Sequence, residues 1–249
     1  MRRRILTPEQ AGLSSMQHAG LKNSYVSVER GGRTSFGGSQ NWFGGMLEKC
    51  GCGIISAADI LWYLENKTSA ERTGKVFFDQ YEKYVRKLRK NFLLIPYRGM
   101  PGFLMAVCFD IYLRRRHLGY RAHWGTLPGR LQDTVREMLE DDIPVPFCVG
   151  PCLHQRFHKN NTCGLKLYEK RGAGTNTEEY VWTKTVRSHF MTMTGLDGDR
   201  VRISSWGEEY YISLKELADL VRKDGFGLFT NIISIRRTRP KKLYLHYKL

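Results

Sequence analysis

Three short stretches of this chain carry residue types that together could run nucleophilic thiol chemistry. The first is Cys-Gly-Cys-Gly-Ile-Ile-Ser-Ala-Ala (50–58), with Cys52 at the head of an apolar run. The second, Ser-His-Phe-Met-Thr-Met-Thr-Gly-Leu (188–196), contributes His189. The third, Val-Arg-Ile-Ser-Ser-Trp-Gly (201–207), contributes Ser204, Ser205 and Trp206. A thiol attacks a carbonyl as thiolate, so such a site needs an imidazole to take the proton and a third polar group to orient the imidazole.

The elements around these residues decide whether they can meet. Ile54, Ile55, Ala58, Leu61 and Trp62 recur at helical spacing, which predicts a buried helix over 52–66. Cys52 then stands at the helix N-terminus, where exposed N–H groups and the positive dipole end lower a thiol pKa. Its own N–H could serve as an oxyanion donor. Gly51 and Gly53 flank it and allow the backbone to approach a substrate closely. Cys50 is the rival nucleophile on the entering loop, and Cys52 is preferred because the apolar period starts directly after it. The plain alternative is a buried structural cysteine.

His189 heads a strand-like run that ends at a hairpin signal, Asp197-Gly198. Counting outward from that turn brings Ser204 and Ser205 near His189. A hydroxyl beside the imidazole therefore follows from strand pairing alone.

The first half of the chain reads as helical. A helix is expected after Thr68-Ser69, with Val76, Phe77, Tyr81, Tyr84, Val85 and Leu88 on one face. Pro101 suits the first position of another, and 131–142 forms a fourth. The second half reads as strands at 145–150, 165–170, 189–196, 200–205, 209–214 and 228–237. Ser213 and Glu216 give a capping-box pattern for a short helix between the last two. Helices first and antiparallel strands second predict an α+β fold, with a cleft between a helical lobe bearing Cys52 and a sheet lobe bearing His189. Residues 1–39 are polar and glycine-bearing and read as a partly irregular arm; 40–249 read as one domain.

Bulk composition narrows the classes. The chain has 249 residues, 41% hydrophobic and 12% aromatic, enough for a globular core. Six cysteines in this length do not make a disulfide scaffold. No apolar stretch follows the basic start as a signal peptide requires, and none is long enough to span a membrane. A reduced, cytoplasmic protein is the expectation. The net charge of +16 favours an anionic surface, polymer or acidic substrate. Nucleic acid is disfavoured because no basic stretch carries interleaved aromatics.

With those residues in view, the chain resembles the papain-like cysteine peptidases, and within them the bacterial leader-peptide-cleaving branch. The Cys-Gly-x-x-Ser-Ala start at Cys52 is similar to that group's nucleophile helix, and Ser-Ser-Trp-Gly (204–207) is similar to the clan's Asn-Ser-Trp-Gly. The resemblance implies Cys52 as nucleophile and His189 as general base, then acid. It implies Ser204 at the His-orienting position, Gln40 in the oxyanion hole and Trp206 shielding the His–Ser pair. It implies a peptide or protein substrate and no cofactor. Two departures stand out: Ser204 replaces an Asn or Asp, and Gln40 lies farther before Cys52 than usual, with Asn41 as an alternative donor.

Other signals weigh less. Cys148, Cys152, His154, His158 and Cys163 could hold zinc, but their spacing matches no standard finger. The loops Gly-Gly-Arg-Thr-Ser-Phe-Gly-Gly and Gly-Ala-Gly-Thr lack a phosphate-binding lysine or dinucleotide pattern. Glu208 and Glu209 are rim carboxylates that could orient His189 in place of Ser204. The leading expectation is a peptide or amide hydrolase. Its rivals are a catalytically impaired binding module on the same fold, and a basic nucleic-acid-binding protein with zinc.

Overall fold

Strand pairing organises the molecule around the strand that carries His189. The computed structural model describes residues 18–67, 74–95, 99–150, 164–172, 179–223 and 227–238. Among these residues, nine strands form one antiparallel sheet. Its order is β5 (Tyr120–Trp124), β12 (Asn231–Arg237), β6 (Val145–Val149), β9 (His189–Asp197), β10 (Arg200–Ser205), β11 (Glu208–Ser213), β7 (Leu165–Arg171) and β8 (Glu179–Val186). The ninth, β1 (His18–Gly20), pairs the far end of β9, from His18↔Asp197 to Gly20↔Gly195. A second sheet of three short strands joins β3 (Arg33–Thr34), β2 (Ser27–Arg30) and β4 (Lys75–Phe77).

Six α-helices among the described residues complete an α+β architecture. They are α1 (Met46–Cys50), α2 (Cys52–Asn66), α3 (Phe78–Arg89), α4 (Gly102–Arg115), α5 (Leu131–Glu140) and α6 (Leu214–Lys223). The helix α2 has the bounds its apolar period predicts. It is buried nearly all round, as a helix apolar on every face must be. It packs against β9, so the pairing of one helix with one strand brings the Cys52 end to the His189 end. Ser213 caps α6 as expected, its Oγ accepting from the Glu216 N–H at 3.1 Å.

Several expectations need correction. Val76 and Phe77 belong to β4 rather than to the helix that follows, which begins at Phe78. Pro101 precedes α4 with extended backbone, ψ 145°, and the helix starts at Gly102. The strands β5 and β8 were not foreseen. Residues 18–39, expected as an arm, are built into the domain. There β1 extends the main sheet and β2 pairs β4 in parallel. Asp142 binds this segment to the core, accepting from the Lys22 N–H at 2.8 Å and Asn23 Nδ2 at 3.2 Å.

Candidate active site

Cys52, His189 and Gln40, far apart in sequence, line one small cavity of ≈ 20 Å³, together with Asp59, Ser204, Ser205 and Trp206. That volume holds about one water. Cys52 is the first residue of α2, and the amide of Phe190, next to His189, reaches its sulfur. Cys50 does not line the cavity. Its thiol turns back to the Met46 carbonyl at 3.2 Å.

Packing requires the two glycines beside Cys52. A Cβ on Gly51 would collide with the Leu47 backbone, and one on Gly53 would crowd the Phe190 ring at 3.3 Å. Neither glycine lines the cavity.

His189 is buried, with its Nε2 2.8 Å from Ser205 Oγ. The indole of Trp206 stacks on the imidazole at 4.2 Å between centroids and 13° between planes, so it covers one face of the ring. Lys184 Nζ lies 4.6 Å from the Trp206 centroid and donates to Tyr210 Oη at 3.0 Å. Burial, and then the charge of Lys184, lower the imidazole to about 4. Burial pushes the Cys52 thiol up, opposed by the Phe190 and Gly53 amides. At neutral pH the resting pair is therefore a thiol and a neutral imidazole.

The hydroxyl on His189 comes from Ser205, not from Ser204. Strand β9 carries an irregularity opposite Arg202 and Ile203: Arg202 pairs Gly195, Ile203 pairs Met193, and Thr194 is left between. Such a bulge shifts every later residue by one place against its partner. Ser204 instead donates to the Phe36 carbonyl at 2.7 Å. Glu209 accepts from Tyr211 Oη at 2.5 Å, and neither Glu208 nor Glu209 lines the cavity.

Gln40 opens a short 3-10 turn, Gln40–Trp42, and the extra residues between it and Cys52 fold as α1. Its Nε2 donates to the Glu48 carbonyl of α1 at 2.6 Å, which fixes the orientation of the amide. Its Oε1 is buried without a hydrogen-bond partner. Asn41 is not in the cavity wall.

Sequence reasoning missed Asp59. This carboxylate is 2% exposed and stands two turns beyond Cys52 on α2. It accepts from Tyr81 Oη at 2.5 Å, from the Gly38 N–H at 3.0 Å and from Tyr25 Oη at 3.4 Å. Burial raises it to about 7 against those three donors. Asp59 and Ser204 together strap the segment 36–40 onto the cavity wall. The glycines there have a steric reason. Gly37 has φ 77°, and its Cβ would meet Asp59 Oδ2 at 2.6 Å; a Cβ on Gly38 would collide with Tyr81 Oη. The available signal was Cys52, Ser56 and Asp59 at i, i+4 and i+7, a polar stripe on an otherwise apolar helix.

Cys148 is buried on β6 beside Phe190 of β9. Cys152, His154, His158 and Cys163 lie outside the described residues. Among the described residues no group of three His, Cys, Asp or Glu side chains could hold a metal ion, and no helix is long and apolar enough to cross a membrane. No family model, curated protein or solved structure matches this chain.

Proposed function

We propose that the chain is a papain-like cysteine hydrolase acting on a peptide or amide bond. The observation that carries this reading is the shared cavity of helix-terminal Cys52, Ser205-bonded His189 and Gln40. Ser205 takes the hydrogen of Nε2, which leaves Nδ1 with the lone pair that accepts the thiol proton. The sulfur attacks the carbonyl carbon, and the carbonyl electron pair moves to oxygen, stabilised by the Cys52 N–H and the second Gln40 amide hydrogen. The tetrahedral adduct collapses, and imidazolium gives its proton to the leaving amine. Water, deprotonated by His189, then releases the acid and restores the thiol. Because the resting pair is neutral, His189 acts as general base during attack rather than as half of a standing ion pair.

That neutral resting pair, and a Gln40 Nε2 already bound to Glu48, also favour a second reading: a binding module that retains the layout without turnover. Acylation by p-nitrophenyl acetate, with the acetyl group located by mass spectrometry, separates the two. The hydrolase reading expects a nitrophenolate burst with acetyl on Cys52. The burst is absent in Cys52→Ala and slower by about 100-fold or more in His189→Ala, the usual weight of general base catalysis. Ser205→Ala slows it more than Ser204→Ala. Acetylation of Cys52 that is indifferent to His189, or none at all, would remove the hydrolase reading.

A further inference from the structure

The outer face of α4 takes no part in the thiol site. Phe103, Val107 and Ile111 stand one turn apart on this helix and are 49%, 51% and 43% exposed. Their i, i+4 spacing makes one apolar stripe, while Met105, Phe109 and Leu113 fill the core from the other side. Ile111 continues the stripe into a groove of ≈ 740 Å³ lined also by Arg114, Arg115, His117, Arg121 and Thr238.

The basic side of this groove is formed by Arg114, Arg115 and Arg121. The β5–β12 pairing sets Arg121 opposite Arg236 and Tyr120 opposite Arg237, and these last two arginines line an adjoining hollow with Glu137 and Asp141. Two of the acids nearby are engaged: Asp110 holds Arg121 at 2.6 Å and Glu137 holds Arg236 at 3.5 Å; Asp141 lies in the hollow of Arg236 and Arg237. Arg114, Arg115 and Arg237 have no carboxylate at ion-pair distance among the described residues.

We propose that this face docks the protein on an anionic lipid surface, with the α4 stripe at the headgroup boundary and the arginines against the headgroups. A surface that joins an apolar stripe to a cluster of cations matches the two components of such a bilayer, its apolar interior edge and its negative surface potential. Nucleic acid could use the cations and the Phe103 ring but would leave the aliphatic Val107 and Ile111 uncovered. The net charge of +16 adds a long-range attraction for an anionic surface. The face is made by α4, its following turn and β5, none of which lines the Cys52 cavity, so docking stands or falls apart from the hydrolase reading.

The test is flotation of the full chain with phosphatidylcholine vesicles, with and without about one third phosphatidylglycerol, in about 0.1 M salt. Binding is expected to the anionic vesicles only. Arg114→Gln/Arg115→Gln/Arg237→Gln should weaken it about 100-fold, near fivefold for each arginine. Phe103→Ser/Val107→Ser/Ile111→Ser should weaken it at least about tenfold. If either triple variant fails to fold, Arg115→Gln and Val107→Ser carry the same signs. Equal binding to both vesicles, no binding, or anionic binding untouched by both sets overturns the proposal. So does salt-sensitive binding of a single-stranded RNA oligonucleotide without vesicle binding, which assigns the face to nucleic acid.

Discussion

At the residue scale, two of the ionisable groups of the cavity, His189 and Asp59, pull stability in opposite directions with pH. His189 falls from 6.5 to about 4, so between those values the unfolded chain takes a proton that the folded chain refuses. Its contribution is full above about 6.5 and is lost as pH falls through about 4. Asp59 rises from 3.8 to about 7, so the folded chain keeps a proton the unfolded chain has released. Its contribution is full below about 3.8 and is lost as pH rises through about 7. Each shift corresponds to roughly 3–4 kcal/mol, and the two slopes offset each other between about pH 4 and 6.5. Single variants unmask them in urea titrations at several pH values. Relative to wild type, Asp59→Asn should gain stability from about pH 4 to 7, and His189→Gln should gain it from about pH 6.5 down to 4. A difference from wild type that stays flat with pH would show that the group is not buried as described.

At the element scale, the strap 36–40 is what places Gln40, and its two glycines are fixed by close approach rather than by a need for flexibility. Tyr81 is fully buried, and its hydroxyl is bound to Asp59, so it has no room to retreat from a Cβ on Gly38. Gly38→Ala should lower stability by about 1–3 kcal/mol, the usual range for overpacking a filled core. The denaturation midpoint measures it, and an unchanged midpoint would mean that the strap lifts freely from α2. The loop read in the sequence as glycine-bearing and without nucleotide chemistry thus has a defined mechanical role.

At the scale of the whole molecule, residues 18–39 are a component of the core. Strand β1 closes the far end of β9, and Asp142 gathers Lys22, Asn23 and Tyr63 Oη around one buried carboxylate. Deleting residues 1–24 removes this strand and two of those donors. The expected loss is at least about 3 kcal/mol, at roughly 1.5–3 kcal/mol for each hydrogen bond to a charged group. Chemical unfolding of the truncated chain reads it. A midpoint equal to that of the intact chain would restore the segment to the status of a separate arm.

The sequence determined what local pattern can determine. The bounds of the Cys52 helix, the β9–β10 hairpin, the Ser213 cap and the α+β class follow from periods of 3.6 and 2 and from turn and cap residues, all legible within a few positions. The tertiary structure decided the rest. A single extra residue in β9 sets the final register of the hairpin, and Ser205 rather than Ser204 ends on His189. Asp59 looked like an ordinary polar residue until packing removed its water and left three neutral donors around it. The basic groove exists only because β5 folds back on α4 and sets Arg121 beside Arg114 and Arg115. Each of these depends on contacts between residues distant in sequence, where pairing register and burial, not local propensity, set which groups meet.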